Sequence, residues 1–400
     1  MNAHVALPET FATPRFRAPR RLEHLAYGMA LAGTAAAAFG LHGQPARTWA
    51  NLLLDGFYLL SLGLAGALFV AIHSLTGATW SAGVRRLAEA MMSALPVAAP
   101  LMLGLFFGRH FLYTWSQAGA GALHGGPALG AKAVYLSTPF VFLRMGIVLG
   151  LWLWCARRLR RTSLRQDGDT APELHRRLVR DSAIFVVLFA FSFALASIDW
   201  LMSLDPRWFS TIFAVYAFAG LFVAGVAALT LMAVALRARG GLADVVNENH
   251  LHDLGKLLFA FTTFWAYIWL SQYLLIWYGN LPEEIPHYLS RTGDRWIALF
   301  LLNLVVNWVI PFVVLLPRAT KRDARVLGAV CVLLLAGRWL DLYLMIVPEV
   351  ASGPAIGGLE ILIAIGYVGL FLSTVMRALA RAPLVASNDP RFQESLRHRQ

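Results

Sequence analysis

WFSTIFAVYAFAGLFVAGVAALTLMAVALR (residues 208–237) runs for 29 residues before its first charge, Arg237. A helix rises about 1.5 Å per residue, so roughly 20 apolar residues cross a hydrocarbon core of about 30 Å. This stretch is long enough to span a membrane. Its apolarity is continuous rather than alternating, which excludes a strand of a transmembrane barrel. Nine further runs read the same way, near 22–41, 50–76, 86–108, 132–156, 181–204, 253–279, 294–316, 325–347 and 356–380. The chain is 58% hydrophobic and only 14% charged over 400 residues, whereas soluble domains carry about 25% charge. A large soluble catalytic domain and a disordered chain are both excluded. The expected fold is an all-α integral membrane protein of ten transmembrane helices: a tail at 1–21, a membrane domain at 22–380 and a tail at 381–400.

The net charge of +12 has a topological explanation. Of 34 Lys and Arg, 26 fall in the two tails and the even-numbered connections, and 6 fall in the opposite loops. Arg144 and Arg338 lie within spans. Such a bias sets orientation by the positive-inside rule, with both termini cytoplasmic. No nucleic-acid partner is needed to account for it. The first 21 residues hold Arg15, Arg17, Arg20 and Arg21 without an apolar core, so they read as a tail and not a cleavable signal. RRLRR (157–161) reads as a stop-transfer cluster, or else as a contact for anionic membrane lipid.

The fifth span ends ASIDWLMSLDP and the ninth ends RWLDLYLMIVP. In both, an aspartate precedes a proline by seven residues, Asp199 before Pro206 and Asp341 before Pro348. Spans 2–5 and 6–9 also share order and orientation, which permits a parallel duplication. Each proline would end its helix, leaving the aspartate about two turns, roughly 10 Å, inside.

Ionisable groups within membrane spans are expensive and tend to mark pathways. Asp55, Asp199, Asp341 and Glu360 fall in the outer half, and Glu89 and Asp253 in the inner half. These six form the candidate proton relay, with Arg144 and Arg338 as buried charge partners. Arg338 and Asp341 stand one turn apart and can pair on one helix face. Asp199 has Ala196 at the matching position. The expectation is therefore a paired Asp341 and an uncompensated Asp199 better suited to accept protons. The bland alternative is that these charges merely neutralise one another.

Cys155 and Cys331 stand far apart, and no CxxC or CxxCH pattern is present. No metal site, cluster or c-type haem is expected, and the sparse span-end histidines give little support to a b-type haem. The seventh span is rich in aromatic residues. With His110, the residues Trp265, Tyr267 and Gln272 are candidate neighbours of a quinone head. Simple aromatic packing is the competing explanation.

IDWLMSLDPRWFSTIFAVYAFAG (198–220) and DLGKLLFAFTTFWAYIWLSQYLLIWYGNLPEE (253–284) carry a resemblance. They resemble the F subunit, the second quinone-binding-type membrane subunit, of bacterial alternative complex III, within the NrfD/polysulfide-reductase family. The resemblance implies two four-helix bundles, spans 2–5 and 6–9, with spans 1 and 10 peripheral, in a subunit of a respiratory quinol:cytochrome c oxidoreductase of the bacterial inner membrane. It implies three partners: a multihaem cytochrome c, an iron–sulfur subunit like molybdopterin oxidoreductases, and a sister NrfD-like membrane subunit. A quinol such as menaquinol would be the associated small molecule. The chain itself would hold no redox centre and would contribute to the quinol environment or to proton translocation. The resemblance assigns no site residues, so the relay set rests on depth and charge. An independent secondary transporter and a structural scaffold of the complex are the rival readings. Against transport, Pro96 and Pro100 interrupt the third span, but the equivalent seventh has no proline.

Overall fold

The computed structural model describes residues 16–117, 132–169, 171–351 and 353–398. Residues 1–15 of the expected N-terminal tail, part of the loop after the third span and the last two residues lie outside the described residues. Ten described helices are long and apolar enough to cross a membrane. They are α1 (Arg20–Gly43), α2 (Pro45–Leu75), α3 (Arg85–Leu112), α4 (Thr138–Arg165) and α5 (Pro172–Leu204), then α6 (Phe213–Ala238), α7 (Glu248–Gly279), α8 (Ile297–Leu315), α9 (Ala324–Glu349) and α10 (Gly358–Ala380). The protein is an all-α, multi-pass membrane protein.

Each helix falls on one of the ten apolar runs, and the differences lie at the ends. α4 begins with Pro139 in its first turn, where a missing N–H costs nothing. It continues through RRLRR to Arg165, because arginine and leucine propagate a helix whether or not lipid surrounds them. α5 likewise starts at Pro172, well before its apolar run. Asn247 caps α7, accepting from the backbone N–H groups of Asn249 and His250.

The helices pack as two closed rings. In the first, α2 touches α3 and α5, and α4 closes the ring against both. In the second, α6 touches α7 and α9, and α8 closes it in the same way. The rings meet where α2 lies against α6, flanked by α5 on α6 and α9 on α2, the equivalent contacts of a duplicated pair. Accordingly α2 is 94% and α6 72% buried over their apolar windows, against 17% for α1 and 22% for α8. α1 pairs with α10 outside the rings. There Gly33 faces Gly366 so closely that a Cβ on Gly33 would lie 2.4 Å from the Gly366 Cα. Small residues of this kind let helices associate in lipid through backbone contact.

An even number of spans brings Arg20 at the start of α1 and Ala380 at the end of α10 to one face, the basic one. Residues 384–398 dock across it. Asp389 pairs with Arg85 at the start of α3, and Asn388 Nδ2 donates to the Asp167 carbonyl at 2.8 Å. Arg391 donates to the His73 carbonyl at 3.1 Å, and Ser395 to that of Trp80 at 3.0 Å. His398 Nε2 lies 2.6 Å from Asp253 on α7. The C-terminal segment therefore ties α2, α3 and α7 together. Burial works against the Asp389 carboxylate, but Arg85, the Arg391 backbone N–H and the Arg391 side chain outweigh it and hold its pKa below the usual range.

Candidate proton-conducting site

All four helices of the second ring converge on Asp341. Arg338, one turn before it on α9, approaches Oδ2 at 3.2 Å. Trp265 Nε1 from α7 also approaches Oδ2, at 3.3 Å. Asn303 Nδ2 from α8 donates to Oδ1 at 2.9 Å, and the Tyr216 hydroxyl from α6 donates to the same oxygen. Four donors around a carboxylate only 1% exposed offset its loss of water. Arg338 is held in turn. Its Nε donates to Asn307 Oδ1 at 2.8 Å, and its guanidinium lies over the Trp265 ring at 4.0 Å. Its Nη2 has no hydrogen-bond partner among the described residues.

Local backbone makes this arrangement possible. Pro311 has no N–H for the carbonyl of residue 307, and α8 relaxes into a π-helical turn at Val305–Val309 just before it. Asn307 Nδ2 donates to the carbonyls of Asn303 and Gly337, at 3.0 and 2.9 Å. Gly337 must be glycine for that approach, since a Cβ there would lie 2.5 Å from Asn307 Oδ1.

The first ring builds its centre differently. Arg144 Nε on α4 donates to Asp199 Oδ2 on α5 at 2.8 Å. The guanidinium is sandwiched near the rings of Tyr135 and Phe140, 3.9 and 4.3 Å from their centroids. This corrects the expectation that Asp199 is uncompensated. Its cation comes from the neighbouring helix, which spacing along its own helix cannot reveal.

Glu360 is also paired. Arg47 on α2 grips both of its oxygens, at 2.5 and 2.6 Å. Glu360 also accepts from the Gly357 N–H at 2.9 Å, capping the start of α10. Asp55 is the exception among the candidate carboxylates. It is 1% exposed, accepts from Trp339 Nε1 at 2.9 Å, and leaves Oδ2 without a hydrogen-bond partner among the described residues. No described cation pairs with it.

The two inner carboxylates occupy equivalent places near the starts of α3 and α7. Glu89 pairs with Arg85 at 3.2 Å and Arg86 at 2.5 Å and accepts from the Ser163 hydroxyl. Asp253 pairs with Lys256 at 2.6 Å as well as with His398.

Two small cavities flank the Asp341 cluster. One, about 10 Å³, lies where the rings meet and is lined by Tyr58, Ser61, Gly220, Arg338 and Asp341. The other, about 30 Å³, runs toward the opposite face between Tyr216, Asn303, Gln272, His287, Tyr288 and Arg291. A water needs about 10–15 Å³ and several polar partners, so the larger space has room for about two waters and the smaller for one at most. The outer cavity is closed by the short helix Ile285–Thr292, where Arg291 donates to Glu349 at 2.8 Å and to two α9 carbonyls. His287 stacks on Trp208 at 3.7 Å, and burial together with Arg291 holds its pKa well below the ordinary histidine range.

The four residues proposed near a quinone do not converge. Trp265 belongs to the Asp341 cluster, Gln272 lines the outer cavity, Tyr267 is 65% exposed on the outside of α7, and His110 is exposed at the end of α3 in the other ring. Tyr216, Asn303, Asn307 and Arg291 were not anticipated. Asn303 and Asn307 were visible as two amides one turn apart in an otherwise apolar run.

Fold and site together define a multi-pass helical membrane protein with a hydrogen-bonded charge cluster at the centre of one ring and the cross-helix Arg144–Asp199 pair in the other. In comparisons with known proteins, no family model matches the chain and no curated protein matches it.

Proposed function

We propose that the chain is a proton-conducting membrane subunit of a respiratory quinol:acceptor oxidoreductase, without a redox centre of its own. The observation that carries the reading is the Asp341 cluster with a water-sized cavity on each side. Asp55 adds a buried carboxylate without a cation near the meeting of the rings. A proton would enter from the cytoplasmic, basic face, exchange at Asp55 and the Arg338–Asp341 pair, and leave past Tyr216, Asn303 and His287. Arg338, with one unpartnered nitrogen, would set the electrostatic barrier between the halves. Quinol chemistry would belong to a partner, because the outer cavity is far smaller than the 300 Å³ or more typical of ligand pockets.

The resemblance of residues 198–220 and 253–284 to the F subunit of alternative complex III supports the assignment to such a complex, and to a bacterial inner membrane. The partners would be a multihaem cytochrome c, an iron–sulfur subunit and a sister membrane subunit. Secondary transport is the weaker reading. Its hallmark is broken helices at matching places in the two repeats. Here the breaks inside the spans are the 3-10 turn Met92–Ala94 in α3 and the π turn in α8, whereas their equivalents α7 and α4 run unbroken, and the matched 3-10 turns Met202–Leu204 and Val347–Glu349 lie only at the ends of α5 and α9.

The test is affinity purification of the tagged chain from its native membranes. The expected product carries c-type haem absorbance and oxidises quinol with release of protons. A chain that purifies alone, and moves a solute when reconstituted, would overturn the proposal.

A further inference from the structure

We propose that the basic ends of α4 and α5 form a binding site for the phosphodiester head of an anionic phospholipid, whose acyl chains lie along Trp154. Gly150, Trp154, Arg157 with Arg158, Arg161 and Arg165 recur about one helical turn apart, so they form one stripe along α4. With Arg177 of α5 they border an open pocket of about 440 Å³, enough for a lipid head and more than a lone ion needs.

The charges in this pocket are unbalanced. Buried Asp181 takes Arg158 at 2.8 Å and lies 3.9 Å from Arg177. Arg157, Arg161 and Arg165 have no anionic partner among the described residues. Like charges at these helical spacings repel one another, and a shared anion removes that repulsion. Guanidinium groups suit phosphate because two parallel N–H donors match two of its oxygens.

The apolar end of the stripe identifies the source of the phosphate. Trp154 is 48% exposed at the end of the apolar run, with a bare Gly150 one turn deeper. Tryptophan at such a boundary sits at headgroup level. A soluble phosphate would have no use for that apolar floor, whereas a lipid would cover it. Basic pockets at helix ends are the membrane-protein form of headgroup recognition.

Native mass spectrometry of the full chain in detergent tests the site, with phosphatidylglycerol, phosphatidylcholine or inorganic phosphate added. Phosphatidylglycerol should be retained and the other two should not. The triple variant Arg157→Gln, Arg161→Gln, Arg165→Gln should bind it about a hundred-fold more weakly, and each single variant about five-fold. The single variants keep the test readable should the triple fail to fold. Arg237→Gln, on the same face but outside the pocket, should change nothing. Trp154→Ala should weaken lipid retention. Equal retention by wild type and all the arginine variants would overturn the proposal, as would equal binding of phosphatidylcholine. Displacement of the lipid by inorganic phosphate would make this a soluble-anion site. A photoreactive residue replacing Arg161 that crosslinks to a protein in native membranes would make it a subunit interface.

Discussion

Arg144 on α4 reaches across to Asp199 on α5 at 2.8 Å, whereas Arg338 lies on the same helix as its partner Asp341. The two aspartates hold corresponding places in a duplicated fold but are neutralised by different means. Removing one member of a buried pair leaves a stranded charge and costs about 3–5 kcal/mol. Arg144→Gln should therefore lower the melting temperature in detergent markedly. The double variant Arg144→Gln, Asp199→Asn should recover much of the loss, though not the contacts of the guanidinium with Tyr135 and Phe140. If Arg144→Gln melts with the wild type, the pair contributes nothing to stability.

Gly337→Ala tests the close approach of α8 to α9. The new methyl would stand 2.5 Å from Asn307 Oδ1, so the amide must move and release Arg338 Nε. Overpacking of this kind costs about 1–3 kcal/mol. Gly146→Ala on α4, with nothing within 4 Å of the added Cβ, should leave stability unchanged or slightly raised. Comparable melting of the two variants would show that α8 yields freely at its π turn.

The ten helices were legible because hydrocarbon demands long unbroken apolar runs, and those can be counted. The partners of the buried charges were not, since pairing depends on how each helix is rotated against its neighbours. Asp199 illustrates the limit: Ala196 on its own helix says nothing of Arg144, 55 residues away. Arg338 and Asp341 were legible because one helical turn fixes their separation. Asn303 and Asn307 carry no charge, so buried charge alone does not mark the amides that hold that pair. The C-terminal tail shows the same limit. Hydropathy marks 381–400 as outside the membrane, but its docking rests on Asp389, Ser395 and His398 meeting specific partners.

Docking of that tail should depend on pH. The Asp389 pKa is depressed in the folded protein, so its contribution is complete above the unfolded value of about 3.9 and is lost as pH falls through the folded one. Ser395→Cys, at a position buried in the docked tail, read by the rate of reaction with a disulfide reagent that works at acid pH, should stay protected at neutral pH and become accessible only below about pH 4. Asp389→Asn should raise labelling at neutral pH and flatten this dependence. Identical profiles for wild type and Asp389→Asn would show that other contacts hold the tail.

The sharpest contrast is between Asp55 and Asp341. Asp55 has one indole donor and no cation, so Asp55→Asn keeps the hydrogen bond from Trp339 through the amide oxygen and strands no charge. Assembly should survive while proton release during quinol oxidation falls, because the amide cannot take up and return a proton. Asp341→Asn removes a charge that Arg338, Tyr216, Asn303 and Trp265 all address, and leaves Arg338 buried without its anion. That loss should cost about 3–5 kcal/mol and reduce the amount of folded protein before any effect on turnover can be read. The two variants should thus separate conduction from stability, measured as protons released per quinol and as yield of folded protein. Undiminished proton release in Asp55→Asn would remove Asp55 from the path. A well-folded Asp341→Asn variant would show that the four donors around this carboxylate do not depend on its charge.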